Sequence, residues 1–142
     1  MIRRGKIGDL NVLMKFLNDT PELGGGLKEE TYSQDYVKAC LTDKDRDIVL
    51  ILEDKGVIVG FLIAELWKNK KYSFLIDLFV KPDYRKMGIA RKLIKEHERV
   101  CKKLGLKRIS GLVLVNNFRM HKFMKKTNFK RGNALYFYEK NI

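Results

Sequence analysis

Chemistry enters this chain where an apolar, β-prone run, Tyr72 to Val80, gives way to Lys81-Pro82-Asp83-Tyr84 and then to Arg85-Lys86-Met87-Gly88, at the head of a helical pattern. Strand, short basic loop, glycine and helix, in that order, suit an anion. The first turn of a helix has backbone N–H groups without intrahelical acceptors and a partial positive charge from the peptide dipoles. Gly88 has no Cβ to keep an anion from those amides, and Arg85, Lys86 and Arg91 add formal charge at the same point. The spacing predicts a pyrophosphate cradle. It is not a Walker loop, because Gly-Lys-Ser/Thr occurs nowhere in the chain. It is not a dinucleotide loop either, because G-x-G-x-x-G is absent and residues 106–115 hold no acid for a ribose.

One carboxylate lies in the strand that feeds this loop. Asp77 is the lone charge in Phe74-Leu75-Ile76-Asp77-Leu78-Phe79-Val80. A charge on such a strand is costly unless it is paired, hydrogen-bonded or in a cleft. Asp77 is therefore the candidate general base, with a structural, paired aspartate as the competing reading.

The elements that position these residues follow from periodicity. Ile2 to Arg4 reads as an edge strand, and Asp9 as the N-cap of a helix carrying Leu10, Leu13, Met14 and Leu17 on one face. Pro21 to Leu27, with Gly24-Gly25-Gly26, reads as a loop, and a second helix is expected from about Glu29 to Leu41. Ile48 to Leu52 and Val57 to Leu66 form a hairpin around Asp54-Lys55-Gly56. From Gly88 the strongest helical pattern places Ala90, Leu93, Ile94, His97, Cys101 and Leu104 on one face, with Gly105 as the stop. Ile109 to Val115 reads as a buried strand, Asn117 to Thr127 as a short helix, and Phe129 to Arg131 and Leu135 to Glu139 as closing strands. This is one α/β domain over residues 1–142, without internal repeat or linker.

Composition narrows the function classes. With 142 residues, 45% of them hydrophobic, the chain can bury one core. Its longest apolar stretch, Gly56 to Ala64, is too short to span a bilayer, and no apolar segment follows the charged N-terminus as a secretory signal requires. Cys40 and Cys101 are far apart and match no zinc spacing; no metal site is expected, and the usage fits a reducing cytoplasm. Residues 1–70 carry 11 Lys/Arg and 12 Asp/Glu, a net of −1, whereas residues 71–142 carry 19 and 5, a net of +14. The basic half favours an anionic partner, with a merely solvated basic surface as the alternative.

Arg85-Lys86-Met87-Gly88-Ile89-Ala90 matches the Arg/Gln-x-x-Gly-x-Gly/Ala motif of the GCN5-related N-acetyltransferases (GNAT), and the chain resembles that family from Ile2 to its end in length and element order. Leu78-Phe79-Val80-Lys81-Pro82-Asp83-Tyr84 is similar to the family's fourth strand and loop, and Asn117 with Phe129 to its Asn…Gly-Phe segment. The resemblance implies a mixed central sheet of about six to seven strands with about four helices, splayed between the fourth and fifth strands. It implies acetyl-CoA as co-substrate, a primary amine as acceptor, and a homodimer as one assembly. Cofactor contacts then fall on the backbone of Leu78, Phe79 and Val80, on Arg85 and the loop amides Lys86, Met87, Gly88, Ile89, Ala90 and Arg91, and on Asn117.

An alkyl ammonium, with a reference pKa near ~10.4, must lose a proton before it attacks a thioester. Asp77 is placed to take that proton, directly or through water, and a backbone N–H at Phe79 or Val80 to hold the oxyanion. The chain departs from the family pattern in several places. Met124 stands where many members have the proton-donating Tyr, and Leu112 where acetylators of a ribosomal protein have a Glu. Ile76 replaces the second acid of the diamine acetyltransferases, and Asn128 replaces the glycine before Phe129. Tyr136 or Tyr138 is a substitute donor only if the final strand does not simply pack them, and Tyr32 and Tyr36 are candidate acceptor contacts with core packing as the alternative.

Two other readings compete with an acetyltransferase. One is a coenzyme A-binding sensor without catalysis, which Met124 and Leu112 favour. The other is a nucleic-acid-associated module using Lys122, Lys125, Lys126, Lys130 and Arg131 with Phe123, Phe129 and Tyr136. No membrane partner is expected. His97, on the apolar face of the main helix, is expected to be a core histidine, and Cys101 an inert neighbour.

Overall fold

The most β-branched runs make the longest strands. In the computed structural model, which describes residues 1–23 and 32–142, β2 (Asp47–Asp54) and β3 (Val57–Trp67) pair antiparallel around the turn at Lys55-Gly56. β1 (Ile2–Arg4) adds to the free edge of β2, and β4 (Tyr72–Val80) to that of β3. β5 (Arg108–Gly111) pairs parallel with β4, giving the order β1-β2-β3-β4-β5. Helices cover both faces, so β2 is buried at six consecutive positions rather than at alternate ones.

α1 (Leu10–Asp19) and α2 (Gln34–Thr42) cover one face, packing Leu13, Leu17, Val37 and Leu41 onto Val49, Ile51, Phe61, Ile63 and Phe79. α3 (Ile89–Lys103) covers the other, packing Leu93, Ile94 and Cys101 onto Ile48, Leu50, Leu62, Leu75 and Leu78. α4 (Phe118–Lys126) extends that second core through Met120 and Phe123.

Several boundaries differ from the sequence reading. Asp9 precedes α1, but its carboxylate does not cap it; it accepts from the Lys6 backbone N–H (2.9 Å) and from both Arg3 guanidinium arms (2.8 Å each). α2 begins at Gln34, with Ser33 as the capping residue; the expected loop at 24–27 and the helix start at Glu29 lie outside the described residues. β5 stops at Gly111 instead of Val115, and neither Phe129 to Arg131 nor Leu135 to Glu139 forms a strand. The sheet therefore has five strands, not six to seven, while the four α-helices are as expected. The reason lies in β4: β5 follows it only from Tyr72 to Leu75, then diverges, leaving residues 112–115 and the C-terminal segment without a ladder. Leu104, expected on the buried face of α3, is half exposed at its end.

Candidate functional site

A bulge aims the catalytic strand. Ile63 pairs with Asp77 and the next residue, Ala64, with Leu75, so Ile76 has no partner on β3. Strict alternation would put Leu75 and Asp77 on the same face. The extra residue separates them: Leu75 packs under α3, while Asp77 joins Phe79 on the α1/α2 side. Asp77 is 3% exposed, and the Tyr32 hydroxyl hydrogen-bonds to it. Burial, then the charge of Asp77, pushes the Tyr32 phenol well above its ordinary range, so it stays protonated.

The same bulge opens the far edge of β4. Beyond Leu75 no β5 residue pairs with it, which is the splay expected there. The Lys81 N–H donates to the Val59 carbonyl (2.9 Å), and Val80, Phe79 and Leu78 sit opposite Gly60, Phe61 and Leu62. Antiparallel alternation then turns the N–H of Phe79 toward β3 and those of Leu78 and Val80 outward into the splay. Of the two amides expected to face a developing oxyanion, Val80 is the outward one.

The loop after β4 is shaped for an anion. Pro82–Tyr84 forms a 3-10 turn, and Arg85 Nε donates back to the Val80 carbonyl (3.0 Å), tying the loop to its strand. Lys86 (φ 64°) and Gly88 (φ 78°) are both left-handed, which curls the intervening amides into a concavity of the kind that receives phosphate. The first α3 hydrogen bond is Lys92 N–H to the Gly88 carbonyl (3.0 Å), so the amides of Ile89, Ala90 and Arg91 precede the helical ladder. A Cβ built on Gly88 meets no atom within 4 Å, so the cradle is open at that point.

Arg119, on the first turn of α4, is a cation the sequence reading missed. Burial lowers the pKa of Arg85 and the neighbouring charge of Arg119 lowers it further, so two guanidiniums face each other across the mouth of the splay. Only the tertiary fold brings positions 85 and 119 together, and no local motif reports it. Asn117 caps α4, its Oδ1 accepting the Met120 N–H (3.2 Å), which leaves its amide NH2 for another acceptor. A cavity of about 330 Å³ adjoins Arg85, between the end of α1 and β4, lined by Phe16, Glu22, Phe79 and Pro82 among others.

The α1/α2 face carries the opposite charge. Glu65 lies beyond Asp77 on the neighbouring strand, accepting from Tyr36 Oη (3.3 Å) and Trp67 Nε1 (3.2 Å). Asp47, opposite Glu65 across the β2–β3 ladder, is buried against Arg46 Nε (2.6 Å). Burial pushes the Tyr36 phenol up and raises Cys40 to about 11, so neither ionises near neutrality.

The remaining singled-out residues are structural or outside the site. His97 is fully buried with Nε2 2.8 Å from Ser73 Oγ, a core histidine as expected. Met124 occupies the position of the family acid, and a thioether has no proton to give. Tyr136 and Tyr138 are each 88% exposed and remote from packing, so within one chain neither is a donor to the site. Asn128 adopts φ 67°, the left-handed backbone its place before Phe129 requires. Phe123 and Phe129 pack against the core instead of facing solvent, which removes two of the three aromatics a nucleic-acid surface needed. Among the described residues there is no cluster of three metal-ligating side chains, and no helix long and apolar enough to cross a membrane.

Comparison with known proteins agrees with this geometry. The chain is 27% identical over 140 residues to an uncharacterized N-acetyltransferase of Archaeoglobus fulgidus, covering 92% of each. Its fold is similar to AAC(6')-Iy in complex with the bisubstrate analogue CoA-S-monomethyl-acetylneamine (TM-score 0.79, 20% identity, 100% of this chain and 98% of that one). It is similar also to an aminoglycoside acetyltransferase from an uncultured soil metagenomic sample in complex with sisomicin (TM-score 0.79, 17% identity, 100% and 96%). Residues 11–129 match the model of the Acetyltransferase (GNAT) family, and with a strand-edge splay, a phosphate-shaped loop and a matched span of this length the chain belongs to that family.

Proposed function

We propose that the protein is an acetyl-CoA-dependent N-acetyltransferase whose acceptor is an amine carrying more than one positive charge. The observation that carries this reading is the separation of charge across β4: Arg85, Lys86, Arg91 and Arg119 gather at the splay, whereas Asp77 and Glu65 lie on the opposite face. A polyanionic cofactor belongs on the first side and a cationic acceptor on the second. Solved fold neighbours include a complex with a CoA-linked aminoglycoside analogue and one with sisomicin, which supports an acceptor of this kind.

In this reading the pyrophosphate sits on the amides of Lys86, Met87, Gly88, Ile89, Ala90 and Arg91, with Arg85 and Arg119 beside it. The pantetheine arm lies along β4 as an added strand, bonding the outward groups of Leu78 and Val80 and running past Phe79. Asn117 offers its free amide at the same cleft. Acetyl-CoA supplies the activated acyl group. Asp77 accepts the ammonium proton, directly or through one water; the free amine attacks the thioester carbonyl in a ternary complex; and the Val80 N–H donates to the oxyanion. With Met124 in place of an acid, the thiolate departs into the positive field of the basic half without a protein proton donor.

The test is release of free thiol from acetyl-CoA over a panel of amines, pairing each diamine or aminoglycoside with a monoamine of similar size. The expected result is turnover with a kcat/KM at least tenfold higher for the multiply charged partner. Tight acetyl-CoA binding without thiol release on any amine would replace this reading with the coenzyme A sensor.

A further inference from the structure

We infer that two copies of this chain exchange their C-terminal segments, each tail completing the sheet of the other along the outer edge of β5. Two unsatisfied features of the same chain carry the inference, and it stands independently of the acetyl-transfer reading. The first is the tail. Residues 130–142 form no helix or strand, and none makes a hydrogen bond or ion pair with the described residues. Yet the tail holds Leu135-Tyr136-Phe137-Tyr138, all between 65% and 88% exposed. Three aromatics and a leucine in sequence have strong strand character, and four consecutive exposed apolar residues are not a solvated terminus.

The second feature is the edge. β5 bonds β4 on one side through Tyr72↔Arg108 to Leu75↔Gly111, and its other side has no strand beside it. The chain that continues from it exposes Leu112, Leu114, Val115 and Phe118. A bare strand edge flanked by exposed apolar residues is a template for another strand. Edge and strand-forming segment belong to one sequence but do not meet within one chain. In a two-fold pair each meets its counterpart twice, so one symmetric contact satisfies all four surfaces. The occupant is therefore a second copy, not an unrelated protein. The exchanged strand also walls the β5 side of the splay, which a single chain leaves open.

The experiment is the mass in solution of the full chain at tens of micromolar, by light scattering or sedimentation, beside Phe137→Pro. Proline removes a ladder N–H whichever face the strand presents. Because Phe137 lies in a tail with no contacts in its own chain, the substitution leaves the body folded, which the thermal transition checks. The expected result is twice 16.6 kDa for the wild type and a monomer for Phe137→Pro, with the amides of residues 135–139 at least 100-fold protected from exchange only in the dimer. A monomeric wild type, a dimer that survives Phe137→Pro, or unprotected tail amides in the dimer each overturn the inference.

Discussion

Replacing Gly88 by alanine and by aspartate separates the backbone role of that residue from its electrostatic one. Gly88 sits at φ 78°, and a Cβ there meets no atom within 4 Å. The cost to the unliganded fold is therefore the left-handed backbone alone, about 1–2 kcal/mol for any L-residue. In a domain of this size that lowers Tm by about 3–8 °C, equally for the two variants. Gly105, at φ 72° and equally open, gives the control: Gly105→Ala incurs the same strain far from the cradle. The variants part when acetyl-CoA is added. At 100 times its Kd the cofactor stabilises wild type and Gly105→Ala by about 2.7 kcal/mol. A carboxylate at position 88, beside two phosphates at a partly screened site, opposes binding by about 1–3 kcal/mol, or about 5–150-fold in Kd. Gly88→Asp thus loses most of the ligand shift and Gly88→Ala a smaller part. Thermal unfolding with and without acetyl-CoA reads both terms. Equal ligand shifts in Gly88→Asp and Gly105→Ala would refute the reasoning, because the phosphates would then lie elsewhere.

Three further predictions follow from the same geometry. Asp77→Asn lowers kcat by about 10²–10⁴ with acetyl-CoA affinity unchanged, and the loss shrinks at alkaline pH, where the amine arrives already deprotonated; steady-state kinetics against pH checks both. Arg119→Glu, an exposed substitution, raises the Kd for acetyl-CoA about tenfold at low salt and less at high salt, read by titration calorimetry at two ionic strengths. His97 is held neutral, its pKa lowered to about 4 by burial and then by the Arg4 charge. Its unfolded value is about 6.5, so the unfolded chain binds the extra proton first: this contribution, about 3 kcal/mol, is complete above pH 6.5 and lost as pH falls toward 4. Denaturant unfolding of wild type against His97→Gln over that window shows the slope in the former and a flatter line in the latter.

What the sequence disclosed was whatever is local. The hairpin, the α3 pattern and the Arg85-to-Ala90 loop are each set by residues within a few positions, so periodicity and one glycine sufficed to place them. Asp77 was legible as an acid out of place in an apolar strand. The bulge at Ile76, which turns it away from Leu75, was not, because a bulge is a property of register between two strands. Arg119 escaped for a like reason: its proximity to Arg85 is set by the packing of α4 beside the splay. The closing strands were misread because Leu135 to Tyr138 has strand character without a partner in its own chain, and propensity does not say where the other edge is. Asp9 drew its carboxylate to Arg3 and Lys6, a stronger set of partners than the helix N-terminus it precedes.

The central claim is that acetyl-CoA lies along the open edge of β4 with its pyrophosphate on the start of α3. The most direct measurement is a titration of the ¹⁵N-labelled protein with acetyl-CoA, following each backbone amide. The account predicts the largest shifts at Leu78, Val80 and Lys86 to Arg91, a smaller one at Phe79, whose N–H is turned to β3, and little change on the outer face of α2. Shifts that leave Lys86 to Arg91 unmoved, or that gather on α1 and α2, would contradict it.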